Sequence, residues 1–139
     1  MSDLLDRAGI AALIPHAGTM CLLDAVEHWD VASIRCRSGS HRDPGNPLRG
    51  ADRLSALSLV EYGAQASAVH GGLIGGARPG RLVSVRKLEL ACETIDALES
   101  ALTITARRLL VNAEGMLYDF EVHAAARQLA QGRIAVMLV

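Results

Sequence analysis

Between Ala51 and Gly76 the sequence reads "ADRLSALSLVEYGAQASAVHGGLIGG", and this stretch constrains the fold more than any other. Leu54, Leu57, Val60, Ala64 and then Ser67 or Ala68 recur at helical spacing. Asp52 is a candidate cap, and the paired glycines at 71–72 or 75–76 offer the stop. From Gly63 to Ala68 nearly every side chain is small, so neighbouring strands can approach the helix backbone closely. A helix stripped of bulk in this way suits the centre of a sheet that wraps around it.

The remainder of the chain supplies that sheet. "RLVSVRKLEL" and "ALTITARRLLV" alternate as strands do, "MLYDFEVHAAA" follows, and "GRIAVMLV" is a short apolar run suited to a buried or interface strand. "EVHAAARQLA" has some helical propensity, but its place in a run of strands reads as extended. Upstream, Cys21 to Asp30 and Val31 to Ser38 read as two strands, the second carrying the half-exposed alternation "SIRCRS". A short helix capped by Ser2, with acids in its first turn, precedes them and ends near Pro15. The order is helix, two strands, a turn-rich loop from Gly39 to Asp52, one long helix and four strands. It defines an α+β fold with a mostly antiparallel sheet and excludes a nucleotide-binding βαβ pattern.

A length of 139 residues fits one domain, 1–139. The formal net charge of -1 gives no basic surplus for nucleic acid, although Arg78 and Arg81 beside glycines supply a local patch for an acidic partner. Cys21, Cys36 and Cys92 are widely spaced and outside any C-x-x-C pattern, which points to reduced thiols in a cytoplasm. The N-terminus lacks the pattern of a secretory signal, and the apolar runs are too short for a membrane span.

The chemistry-bearing patterns narrow quickly. There is no G-x-S-x-G, H-E-x-x-H or Walker loop, and His16, His28, His41, His70 and His123 share no ligand spacing, so no metal is expected. Glu61 stands among apolar and small residues on the long helix, and two readings of it stay open. Facing the core, its carboxyl would be raised in pKa and could donate a proton at neutral pH; facing out, it would carry no function. Gln65 lies one turn on and about 40° away. His70 lies roughly 180° round from Glu61, a structural position near the helix end where a cation is favoured. His41 opens the loop that returns the chain to the helix start, where an imidazole can meet Glu61 across a cleft. A histidine base facing a carboxylic acid suits the elimination of water. Around Ser55, Ala56 and Leu57, unpaired N–H groups at the helix start can hold a carbonyl oxygen as charge builds on it.

Three segments carry a family resemblance. "IPHAGTMCLLDAV" is similar to the proline-histidine and Leu-Leu-x-Asp opening of the hot-dog-fold 3-hydroxyacyl acyl-carrier-protein dehydratases. "HRDPGNP" resembles their His-Phe-Pro-Gly-x-Pro loop, and "LSLVEYGAQASA" resembles their central helix. The resemblance runs in order from about Ile14 to Leu73. "AQASAVHGG" is closer to the short, divergent branch associated with aryl polyene and related pigment synthesis.

The resemblance implies a hot-dog fold, with a long central helix wrapped by the sheet. It implies that His41 is the base on C2, that Glu61 protonates the departing 3-hydroxyl, and that Gln65 helps hold the acid. It implies a catalytic pair assembled at a dimer interface, a carrier-protein-bound thioester as substrate, a homodimer or a heterodimer with another hot-dog protein, and no cofactor. Two departures stand out. "LRGADR" widens the spacing from His41 to Glu61, and Ser55-Ala56 replaces the family's Pro-Gly at the helix start. His16 is read as a structural tie at the corner before the first long strand, and as the substitute base should His41 lie too far away. A hot-dog thioesterase and a weakly active partner subunit of a heteromeric dehydratase are the alternative functions.

Overall fold

The computed structural model describes residues 4–14, 20–75 and 80–138. The expected Ser2 cap, His16 and Arg78 lie outside the described residues. The first helix starts later than expected, because the backbone of Leu4 and Leu5 is taken up by a neighbouring strand. β1 (Leu5–Asp6) pairs with β2 (Ala25–Trp29), and Asp6 caps α1 (Arg7–Ala11) by accepting from the Gly9 N–H at 2.9 Å.

β2 runs antiparallel to β3 (Ser33–Ser38). After the central helix come β4 (Gly80–Leu90), β5 (Leu102–Val111), β6 (Gly115–Ala124) and β7 (Arg127–Leu138). "EVHAAARQLA" is indeed extended: it closes the β6–β7 hairpin, with Ala125 in the left-handed region at φ 53°. All pairings are antiparallel, and the sheet order is β1-β2-β3-β5-β6-β7-β4.

α2 (Leu59–Gly75) lies on one face of this sheet against β3, β5 and β6, entered through a single 3-10 turn at Ala56–Ser58. Its cap is Ser55, whose Oγ accepts from the Leu57 N–H at 3.2 Å. The expected cap, Asp52, instead sits in a left-handed turn at φ 62°. Ile34, Cys36, Leu102, Ile104, Tyr118 and Val122 alternate inward from the sheet to form the core beneath the helix. The small residues of α2 have the purpose their spacing announced. A Cβ on Gly63 would lie 2.6 Å from Cγ of Phe120, so the ring packs directly on helix backbone.

The half-buried positions of α2, among them Glu61, Ala64 and Ala68, fall on the side away from the sheet. At the sheet edge, β4 pairs only with β7 among the described residues and leaves Val83 and Val85 exposed. Among the described residues no helix is long and apolar enough to cross a membrane.

Candidate active site

The turn that carries His41 is fixed by its own hydrogen bonds. β3 ends at Ser38, and a 3-10 turn, Ser40–Arg42, follows. Asp24 accepts from the Gly39 N–H at 2.7 Å, and the hydroxyls of Ser38 and Ser40 both converge on the carbonyl of Leu22. The Ser40 hydrogen goes to Leu22, so the Tyr62 hydroxyl, 2.8 Å away, donates to Ser40 Oγ. Asn46 Nδ2 in turn donates to Tyr62 at 3.1 Å and to the carbonyl of Ser40 at 2.9 Å. Burial raises the Tyr62 pKa, with the bonds to Ser40 and Asn46 opposing it, and the phenol stays a proton donor. A buried network therefore joins the helix residue beside Glu61 to the turn that carries His41.

His41 is fully buried. Its Nε2 lies 2.8 Å from the carbonyl of Leu98, in the segment between β4 and β5. A carbonyl only accepts, so Nε2 carries the hydrogen and, in the neutral ring, Nδ1 is left as a lone pair. Among the described residues Nδ1 is buried with no hydrogen-bond partner. Burial lowers the His41 pKa; the carbonyls of Leu98 and Ser100 oppose this, while Arg42 and Arg49 add to it. The result is an oriented imidazole held unprotonated, with its basic nitrogen unused. Buried polar atoms are rarely left in that state without a reason.

Glu61 stands in the first turn of α2. Within one protomer it is half-buried rather than dry, and it has no hydrogen-bond or ion-pair partner among the described residues. It faces away from the sheet and is only partly open to solvent. Gln65, on the neighbouring face, is buried, and its amide is committed to main chain. Its Oε1 accepts from the Leu22 N–H at 2.9 Å, and its Nε2 donates to the Met20 carbonyl at 2.6 Å. Leu22 thus meets the helix that carries Glu61 through its N–H and the turn that carries His41 through its carbonyl.

The expected oxyanion donors at Ala56 and Leu57 are corrected by the structure. The Ala56 N–H donates to the carbonyl of Glu93 at 2.8 Å, within the bridge that pairs Ser55 with Thr94, and the Leu57 N–H is taken by Ser55 Oγ. Neither group is free to hold a carbonyl oxygen in this arrangement. His70 is structural, as expected, but as a buried neutral ring rather than a helix-end cation. Nε2 donates to the Asp30 carbonyl at 2.8 Å, Nδ1 lies 2.7 Å from the Tyr118 hydroxyl, and burial lowers its pKa. Burial also pushes the Cys36 thiol up to about 12, which leaves it inert. Among the described residues no group of three or more His, Cys, Asp or Glu is placed to hold a metal ion. A depression of about 210 Å³, lined by Lys87, Arg107, Asp119, Glu121 and Arg133 among others, lies on the outer sheet face and shares no residue with this site.

Sequence reasoning did not single out Ser40, Asn46, Tyr62 or Arg49. One signal pointed to Tyr62, the large polar side chain beside Glu61 in an otherwise small or apolar helix.

A single long helix wrapped by one antiparallel sheet, with a histidine turn preceding it and a glutamate in its first turn, is the hot-dog fold. The ApeP-like family model, described as ApeP dehydratase, matches residues 8–138, and the chain belongs to that family. The dehydratase heterocomplex ApeI:P from Xenorhabdus doucetiae matches with a TM-score of 0.84 at 21% identity, over 94% of this chain and 90% of that one. AziG from S. sahachiroi matches with a TM-score of 0.64 at 19% identity, over 91% and 98% of the two chains. A thioesterase from Haemophilus influenzae matches with a TM-score of 0.69 at 8% identity, over 98% and 92%. At these identities the likeness to solved structures is one of fold. No curated protein matches the chain.

Proposed function

We propose that this protein removes water from a (3R)-hydroxyacyl thioester carried on an acyl carrier protein, giving the trans-2-enoyl thioester. The observation that carries this reading is the buried, unpartnered Nδ1 of His41, with the opposite ring nitrogen held by Leu98. Nδ1 takes the proton from C2 of the substrate. The electron pair of that C–H bond becomes the C2–C3 double bond as the C3–O bond breaks. Glu61, as a carboxylic acid, gives its proton to the departing hydroxyl, and water leaves. Transfer of the proton gained by His41 to the Glu61 carboxylate, through solvent once the product has left, then resets the pair without a metal or organic cofactor. Gln65 acts as a positioning residue, holding α2 against Met20 and Leu22.

The half-buried, unpartnered Glu61 and the unpaired edge of β4 support assembly with a second hot-dog chain, identical or related, over the open side of α2. The free, widely spaced cysteines support work in the cytoplasm, and the family resemblance supports a role in aryl-polyene or fatty-acid-like synthesis. A purified carrier loaded with a 3-hydroxyacyl group should yield a thioester lighter by one water. Glu61→Gln and His41→Ala should each slow this by about 10²–10⁴-fold; Glu61→Gln should melt normally, whereas His41→Ala also empties a buried, hydrogen-bonded site and should lower Tm. Unimpaired turnover by either variant removes the assignment, and free thiol instead of enoyl thioester selects a thioesterase.

One observation favours a second reading, a partner subunit with little activity alone. The N–H groups of Ala56 and Leu57 are already occupied, so an oxyanion donor must come from elsewhere. The named ApeI:P assembly is a heterocomplex. Activity present only after mixing with a second hot-dog chain would select this reading.

A further inference from the structure

The segment Leu48–Arg53, which widens the spacing between His41 and Glu61, is tightly organised. Gly50 and Arg53 exchange backbone hydrogen bonds of 2.8 and 2.9 Å around Ala51 and Asp52, both left-handed at φ 51° and 62°. Neither turn residue is glycine, so this backbone is held against its own preference by its surroundings. The adjoining side chain that grips it is Arg49.

Its half-buried guanidinium reaches three main-chain carbonyls. Nε donates to Asp43 at 2.8 Å, Nη2 to His41 at 3.2 Å and Nη1 to Asp52 at 3.3 Å. Among the described residues no carboxylate lies within ion-pair distance of it. A planar fork spread over two carbonyls ahead of the segment and one within it serves as a brace, which a flexible ammonium cannot reproduce.

We propose that Arg49 is a positioning residue for dehydration, tying the His41 and Asp43 carbonyls to the Asp52 turn so that the imidazole keeps one orientation. The inference rests on His41 being the base. The brace fixes the turn's main chain, and the Leu98 carbonyl then fixes the ring upon it. The charge of Arg49 acts in the same sense. The groups that act on the imidazole are the carbonyls of Leu98 and Ser100 and the cations Arg42 and Arg49, and both cations disfavour the imidazolium. Removing Arg49 should therefore raise the His41 pKa. Since the base works unprotonated, the acidic limb of the rate profile should move to higher pH.

Three variants separate brace from charge. Arg49→Met should lower kcat by about tenfold or more with KM within about twofold, and should shift the acidic limb upward. Arg49→Lys should return the limb toward its original pH while kcat stays low, because a point charge cannot span three carbonyls. Arg42→Met should shift the limb without the loss in kcat, since the structure gives Arg42 no role in the brace. Arg49→Met with unchanged kcat and limb, or Arg49→Lys with full kcat, overturns the proposal. The imidazole is followed in parallel by NMR titration of the same variants. Failure of the wild type to dehydrate, alone or with a partner chain, removes His41 as the base, and the NMR arm still judges the brace. An Arg49→Met spectrum in which the His41 ring keeps its tautomer and titration overturns the brace by itself.

Discussion

Tyr62→Phe isolates the link between the helix that carries Glu61 and the turn that carries His41, because it deletes one oxygen and leaves the ring in place. Two hydrogen bonds end on that oxygen, from Asn46 at 3.1 Å and to Ser40 at 2.8 Å. Ser40 keeps its bond to Leu22, and Asn46 keeps the one to the Ser40 carbonyl, so each partner is only partly stranded. A net hydrogen bond is worth about 1 kcal/mol, and one buried amide hydrogen left unpaired adds about 1 kcal/mol more. The expected loss is about 2 kcal/mol, which in a chain of this size lowers Tm by roughly 6–10 °C.

The loss should be local in its consequences. Amide exchange should quicken between Ser38 and Arg49 while the interior of α2 keeps its protection, and dehydratase turnover should fall with the loosened turn. Tyr118→Phe is the matched control. It deletes an equally buried hydroxyl that bonds His70, away from the turn, and should cost similar stability without touching turnover. If Tyr62→Phe and Tyr118→Phe prove indistinguishable in exchange and in rate, the coupling argument is wrong.

Two further outcomes follow from the same geometry. Burial lowers the pKa of His41 and His70 below the ordinary 6.5, so between the folded and unfolded values the unfolded chain binds more protons. Their stability contribution is complete above about pH 6.5 and declines as pH falls through that value, by no more than about 1.4 kcal/mol per pH unit for each ring. Urea midpoints at about pH 5.5 and about pH 7.5 check this, and equal midpoints refute it. The lowered carboxylates of Asp30, Asp96 and Asp119 act in a separate window, below the usual 3.8. Gly63→Ala should cost about 1–3 kcal/mol despite its better helix propensity, because the new methyl meets the Phe120 ring at 2.6 Å. Pairing it with Phe120→Leu should recover part of that loss, and a stabilised single variant would show that the ring moves freely.

The elements that repeat locally were readable along the chain. The helical run from Val60 onward and the alternation in "SIRCRS" and "RLVSVRKLEL" are consecutive signals of the kind that periodicity exposes, whereas Leu54 and Leu57 fall ahead of a helix that starts at Leu59. The smallness of Gly63 was also readable, and the Phe120 ring against its backbone is the reason for it. The cap was misplaced because Asp52 and Ser55 carry equivalent side chains. Their choice depends on Ala51 and Asp52 being forced left-handed, which no residue type there announces.

What the sequence determined by itself was a single helix that a sheet can enclose, the order of strands around it, and one carboxylate with a histidine loop ahead of it. Tertiary structure decided which groups were free to react. Leu98, 57 residues beyond His41 in sequence, supplies the carbonyl that fixes the ring. Glu93 removes the Ala56 N–H from use, and Arg49 braces a turn its own segment had seemed only to lengthen. The physical reason is that helix and strand periods are written in neighbouring side chains. Every residue but proline, by contrast, carries the same backbone carbonyl and N–H, and only the packing of distant segments assigns their partners.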